Sequence, residues 1–415
     1  MLPGGIKRKI IIIAGKTIRR FKIKFVFPSS RQKKQNMQAK SIKGKSTEEI
    51  KSALQQSMAD GFKPTLAICF ISKSLDKMAI TTLMEQAGIA VFGCTTNGEF
   101  IDEVTEKESA AILLLDINKE HFQIYFDEYP DRNYREIAKS IAQKAKAKFV
   151  NPAFLIGISN ASADGEAILH GIAEVAGASV NAFGGAAGDD YSFTETIVFT
   201  NNKESNNGIV CIVLDEDKIE MKGIASCGWK AIGTEKIVTK SEGNHVYTVD
   251  NIPALDITAK YGRLTNVSPE NKNLLIEIAA NLPLQLQREK GEPIMRPGLT
   301  VDWSDHSFYT SGSVPQGSKV RFSLPPDFDV MEAGVKAVQN LKETEMPDAD
   351  AVVVFSCAGR IVSFGPLMNQ ELEGIKNVWN VPMAGMFSNA ELGRATGGNL
   401  EMHNLTTCTV VLKEK

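Results

Sequence analysis

The chain has 415 residues, too many for one ordinary core, so two domains or one large repeated body are expected. With 43% apolar and 23% charged residues it has the mixture of a water-soluble globular protein, and no apolar run approaches the ~18 residues of a membrane-spanning helix. The net charge of −2 hides an asymmetry: residues 1–36 hold eleven Lys/Arg and no acid, leaving 36 basic against 49 acidic residues in the rest, a poor surface for nucleic-acid phosphates.

The basic arm comes first. A stretch so rich in Lys and Arg suits a transit peptide or a nucleic-acid tail. The expectation adopted is that the natural start is Met37 and that residues 1–36 are a disordered or misassigned arm. Next, Ser46 and Glu49 form an S-x-x-E capping box opening a helix at 47–59. Strand 65–72, a helix near 76–87 and strand IAVF follow, ending at Gly93. The same order recurs before Gly184: helix 132–147, strand 153–159, helix 164–176, strand VNAF. It recurs again before Gly385: helix 329–342, strand 351–356, a weaker helix near 368–377, strand VPMA. Asp76 and Asp164 are read as N-caps. Ser72, Ser159 and Ser356 are read as equivalent loop starts.

Each glycine is followed by small residues and an acid: GCTTNGE, GGAAGDD and GMFSNAE. On this register Glu99, Asp190 and Glu391 correspond. After each acid comes another apolar strand, at 110–117, 208–216 and 408–414. Near-continuous apolar strands imply burial on both faces. Residues 225–325 break the pattern. Pro253 at a helix start, a helix near 270–281 and alternating strands predict an α+β insertion between the second and third copies. The fold class is therefore α/β: repeated α-β-α-β units with mixed sheets, plus an α+β insertion in the C-terminal half.

The ordered set GCTTNGE, GGAAGDD, GNHVYTVDNIPALD, FSCAGR, MFSNAELG and MHNLT resembles the FIST proteins, which carry an N-terminal and a C-terminal FIST domain. One departure is Ala390, where the C-terminal motif usually has glycine before its acid. The resemblance implies domains at 37–240 (FIST N-like) and 241–415 (FIST C-like). It implies a small-molecule sensor in signal transduction, with amino acids among the ligands, and a downstream signalling protein as partner. Some members are similar to haem-based nitric oxide sensors. No F-box, kinase, cyclase or chemoreceptor segment is read, so a stand-alone copy is expected.

The residues themselves point to the glycine tips. A strand ending in glycine lets backbone N–H groups approach a ligand, and strand carboxyl ends are the usual ligand edge of α/β sheets. The candidates are Gly93, Cys94, Thr95, Thr96, Asn97 and Glu99 in the first tip, Gly184, Gly185 and Asp190 in the second, and Asn389 and Glu391 in the third. Backbone donors would hold a carboxylate and the acids an ammonium group, which suits an α-amino acid. The competing reading is that each acid caps its own loop. Arg360 offers a planar fork for an anion; its alternative is an ion pair with Glu371 or Glu391. Cys94 and Cys357 are read at matching loop starts, as soft packing residues; the alternative is a hydrolase-like enzyme using the loop carboxylates and Cys94. His403 and Asn404 are a polar latch or, for His403, a haem ligand. His170 on a helix and His245 in a turn are lesser candidates.

There is no G-x-x-x-x-G-K-[ST], G-x-S-x-G or H-E-x-x-H motif. Six scattered cysteines without a CxxC suit a reducing cytoplasm. The expectation is a non-catalytic cytoplasmic sensor with no resident cofactor or metal. The lesser expectations are a haem sensor and a hydrolase.

Overall fold

The computed structural model describes residues 37–192 and 194–415, and the basic arm lies outside the described residues. The predicted helices form where caps and apolar stripes place them. Ser46 Oγ accepts from Glu49 N at 3.2 Å, opening Thr47–Met58. Asp76 and Asp164 cap Lys77–Gln86 and Gly165–Ala176 through Ala79 N and Ala167 N. The outer helices are completed by Tyr134–Lys148, Phe328–Thr344 and Met368–Trp379. One helix is unforeseen. Ala358–Phe364 begins directly after strand Ala351–Cys357, so Arg360 sits on a helix rather than in a loop.

The strands make three six-stranded sheets of one pattern and an eight-stranded sheet in the insertion. Each unit's central pair is parallel: Leu66–Ile71 with Ala90–Thr95, Pro152–Ile158 with Ala182–Ala186, and Ala351–Cys357 with Met383–Ser388. Beside each lies an antiparallel strand (Ala110–Leu115, Gly208–Asp215, Thr407–Glu414) and then an outer one (Ala39–Gly44, Phe122–Glu128, Ile219–Ser226). Phe122–Glu128 and Ile219–Ser226 therefore open the following units rather than close the preceding ones. The insertion consequently lies inside the third unit, between its first strand and its first helix, and not between units two and three.

The other edge of each sheet is foreign. The hairpin Glu99–Ile101/Val104–Glu106 of the first unit pairs with Met383–Ser388 of the third. Glu391–Arg394/Leu400–His403 of the third pairs with Ala182–Ala186 of the second. Val198–Phe199/Glu204–Ser205 of the second pairs with Ala90–Thr95 of the first. The exchange runs first to third, third to second, second to first, and closes.

The inner faces of all three sheets share one core, including Phe70, Phe92, Leu113, Leu155, Phe183, Val210, Phe355, Met386 and Val410. Phe70 and Phe355 meet edge-on there at 5.5 Å. Each outer face has its own apolar layer under its own helices. Burial on both faces explains the unbroken apolar strands.

Strand register corrects three equivalences, the first being Cys94 with Cys357: Cys94 follows its tip glycine and lies opposite Phe70, whereas Cys357 ends the other strand of its parallel pair, opposite Ser388. Gly93, Gly184 and Gly385 lie opposite Cys69, Ile156 and Val354. The residue three beyond is Ser72, Ser159 and Cys357, so Cys357, not Ser356, takes the serine position. On the hairpins, Phe199, Leu392 and Phe100 face those glycines. The residue before each is Val198, Glu391 and Glu99, so Val198, not Asp190, occupies the acid position of the second unit. Asp190 belongs to a longer loop that only this unit carries.

Candidate functional site

The three tips converge on one point. Asn97 N donates to Phe387 O at 3.0 Å, Asn389 N to Ala186 O at 3.0 Å, and Gly188 N to Thr95 O at 2.8 Å. These bonds are equivalent under the strand register, so first binds third, third binds second and second binds first. Asn97 Nδ2 also donates to Asn389 Oδ1 at 2.8 Å, and Asn389 Nδ2 to Ala187 O at 2.9 Å. Thr95 Oγ1 donates to Gly188 O at 2.7 Å. Gly188 stands where its sister units have asparagine. A Cβ there would press into the Asn97 side chain, so glycine is required for closure.

Two of the tip glycines serve the exchanged hairpins. A Cβ on Gly93 would overlap the ring of Phe199, and one on Gly385 the ring of Phe100. A Cβ on Gly184 would overlap the carbonyl of Ile156, and one on Gly185 the ring of Phe355. Cys94 Sγ fills the notch left by Gly157 in the shared core.

The two equivalent acids use one device. Glu99 accepts from Thr96 Oγ1 and, at 2.7 Å, from Ser109 Oγ. Glu391 accepts from Ser388 Oγ at 2.7 Å and from Thr406 N at 3.4 Å. Both carboxyls are fully buried. Burial pushes Glu99 up from 4.5 to about 7, against the pull of its two hydroxyl donors, and pushes Glu391 well above the carboxylate range. These acids hold their own loops.

Asp190 is different. Its Oδ2 accepts from Ser72 Oγ at 2.8 Å and Lys73 N at 3.1 Å. Asp190 and Tyr191 both have left-handed backbones, at φ 56° and 60°. Two consecutive non-glycine residues there are strained, and strain of this kind gathers at functional sites. Asn97 Oδ1 holds the strain by accepting from Asp189 N and Tyr191 N, both at 3.1 Å. Tyr191 then spans the junction, its hydroxyl donating to Ala358 O at 3.4 Å. Sequence reading named Ser72 only as a loop start and passed over Lys73 and Tyr191; the DDY stretch carries no motif that marks Tyr191.

The remaining candidates take no part in these inter-unit hydrogen bonds. Arg360 is fully buried in a bidentate pair with Glu371 and donates to Cys227 O at 2.9 Å and Leu405 O at 3.0 Å. Its guanidinium lies over the Trp229 ring, 5.4 Å from the centroid. Every donor is spent inside the protein, so the ion-pair reading describes it. Asn404 Oδ1 accepts from Arg296 Nη1 at 3.3 Å, and Arg296 Nη2 pairs with Glu166 at 2.5 Å. Asn404 thus belongs to a polar latch, as read, whose other members, Arg296 of the insertion and Glu166 of the second unit, sequence reading did not name. His403 is 4% exposed, and its Nε2 has no hydrogen-bond partner. Burial, with Arg296 and Arg288 beside it, lowers its pKa to about 3, so the ring is neutral. Cys94 and Cys357 have thiols pushed upward by burial, the reverse of an activated nucleophile. Two surface grooves, one along Phe328, Met331 and Val335 and one along Val91, Phe126 and Lys203, do not touch the tips.

With this geometry established, comparison with protein families finds the FIST N domain over residues 65–252 and the FIST C domain over residues 254–394. The chain belongs to the FIST family. FIST domains are sensory domains of signal transduction that bind small ligands. Comparison with curated proteins finds no match. Among the described residues no helix is long and apolar enough to cross a membrane. Within this FIST chain the N-domain match ends at 252 and the C-domain match begins at 254, on strand Ile252–Pro253 at the insertion's first helix. Both matched segments contribute tips to the junction.

Proposed function

We propose that this FIST protein binds a small metabolite, a free amino acid in the reading adopted here, at the mouth of the three-tip junction, and passes its state to a signalling partner without catalysing a reaction. The observation that carries this is the strained Asp190–Tyr191 step. A loop found in one unit of three lies over a point where all three units meet, and Asn97 holds it in an unfavourable backbone conformation. Asp190 supplies a carboxylate for an ammonium group. Half-buried Asn389 supplies an amide for a carboxylate. Releasing Tyr191 from Ala358 O would loosen the first turn of helix Ala358–Phe364, which gives binding a mechanical output.

A non-catalytic role is supported by the raised thiols and by acids engaged with their own loops. A cytoplasmic setting is supported by six free, buried cysteines. Haem ligation by His403 is supported less. Its Nε2 is orphaned, but the ring is walled in on every side with two arginines beside it, and this does not fit a porphyrin face. We propose no resident cofactor.

The test is thermal unfolding of the full chain against a panel of free amino acids. At a concentration near 100 Kd, a true ligand stabilises by about 2.7 kcal/mol. Asp190→Asn should abolish that shift while leaving the unliganded midpoint within about 2 °C. A panel in which no amino acid moves the midpoint overturns the amino-acid reading. A Soret band in protein purified from its host would favour haem instead.

A further inference from the structure

The insertion carries a second constellation, unrelated to the tips. His245 opens strand His245–Val249 and is not in a turn. The strand Gly298–Asp302 and the strand Ser307–Thr310 form a hairpin beside it, with His245 opposite Tyr309 and Asp302 opposite Ser307. Alternation then puts His245, Tyr247, Tyr309, Ser307 and Asp302 on one sheet face. Asp305 lies in the hairpin's turn. Ligating atoms of His245, Asp302 and Asp305 all lie within 4.8 Å of one another.

We propose that His245, Asp302 and Asp305 form a binding site for a divalent transition-metal ion of the zinc class. Three features favour it over an ordinary surface cluster. First, the donor set is mixed: an imidazole nitrogen with two carboxylates suits zinc-class ions, whereas Mg²⁺ and Ca²⁺ prefer all-oxygen sites. Second, the imidazole is held in place. Its ring is sandwiched between Tyr247 and Tyr309, with both centroids 3.9 Å away, and it is only 8% exposed. Its Nε2 is bonded to Ser307 Oγ at 2.6 Å, which orients the ring. Third, each aspartate has one oxygen committed to its own turn. Asp302 Oδ1 accepts from Ser304 N and Asp305 Oδ1 from Ser307 N, leaving both Oδ2 atoms for an ion. Zinc bonds of about 2.0–2.2 Å place ligand atoms roughly 3–4 Å apart, so small rotations of two aspartates close the site. His306 is not among the residues whose ligating atoms converge there; its Nδ1 pairs with Asp256 at 2.7 Å. Three protein ligands leave a coordination position for water.

The full chain, stripped with chelator and dialysed, is titrated with Zn²⁺ and separately with Mg²⁺ and Ca²⁺ by calorimetry. One equivalent of Zn²⁺ should bind, at least tenfold tighter than either other ion. His245→Gln and Asp302→Asn should each weaken it tenfold or more. Co²⁺ should give visible absorption bands in the wild type that His245→Gln abolishes. Should His245→Gln fail to fold, Asp302→Asn with Asp305→Asn, at a half-buried and an exposed position, carries the test alone. No saturable Zn²⁺ binding, binding unchanged in that double variant, or a preference for Mg²⁺ or Ca²⁺ each overturns the proposal.

Discussion

Asn97 Nδ2 donates to Asn389 Oδ1 at 2.8 Å across 292 residues of chain. The same Asn97 side chain accepts two backbone N–H groups from the second unit through its oxygen. One buried amide thus touches all three units. Asn97→Ala leaves buried donors without acceptors and should cost about 1–3 kcal/mol. Hydrogen exchange should show the loss of protection concentrated in residues 188–197. Loss spread evenly over the three sheets would contradict this account.

Gly93 and Gly385 admit aromatic rings from the neighbouring unit's hairpin. Gly93→Ala and Gly385→Ala should each destabilise by about 1–3 kcal/mol or more through overpacking, measured by urea unfolding. Phe199→Leu in the Gly93→Ala background should recover part of the loss. No recovery would mean that the ring is not the obstacle.

Glu99 links stability to pH. Its folded pKa, about 7, is above its ordinary 4.5. The folded state therefore holds the proton more tightly, so this stabilisation is complete below pH 4.5 and is lost as pH rises towards 7. At about 1.4 kcal/mol per tenfold, the loss is about 3 kcal/mol at most. Glu391 acts in the same sense. Glu99→Gln should reduce the slope of stability against pH between 5 and 7 and be more stable than the wild type at pH 8. An unchanged slope would show that Glu99 ionises normally.

Arg360 and Glu371 are both fully buried and paired. Arg360→Met strands an acid whose burial already raises its pKa, and should cost about 3–5 kcal/mol in chemical denaturation. Arg360→Met with Glu371→Leu should recover most of it. A single variant costing under 1 kcal/mol would restore the case for an anion-binding Arg360.

The repeat was legible because each unit writes the same apolar strands and the same glycine before the same kind of loop. Asp76 and Asp164 could be read as caps because capping is local. What escaped was non-local. Nothing in GEF or NAEL says that these residues leave their own sheet, since a hairpin looks the same whichever edge it joins. Aligning motifs by acid therefore matched Asp190 to Glu99, while pairing puts Val198 there. The seven-residue helix Ala358–Phe364 escaped because Gly359 and the β-branched Ile361 and Val362 weaken a helical reading. The tip residues were found, but the reason for their glycines was not: Gly93, Gly185 and Gly385 make room for a neighbour's ring. Tyr191 was invisible because its strain depends on an asparagine 94 residues earlier.

The cyclic trade of hairpins makes each unit both host and guest. Delete one, and a second is left with a bare sheet margin while the third holds a ribbon with nowhere to dock. Bare margins recruit strands from other molecules. A fragment ending at either family segment would therefore be prone to clump rather than persist as a smaller sensor. Two such fragments made together should instead find each other and rebuild the triangle.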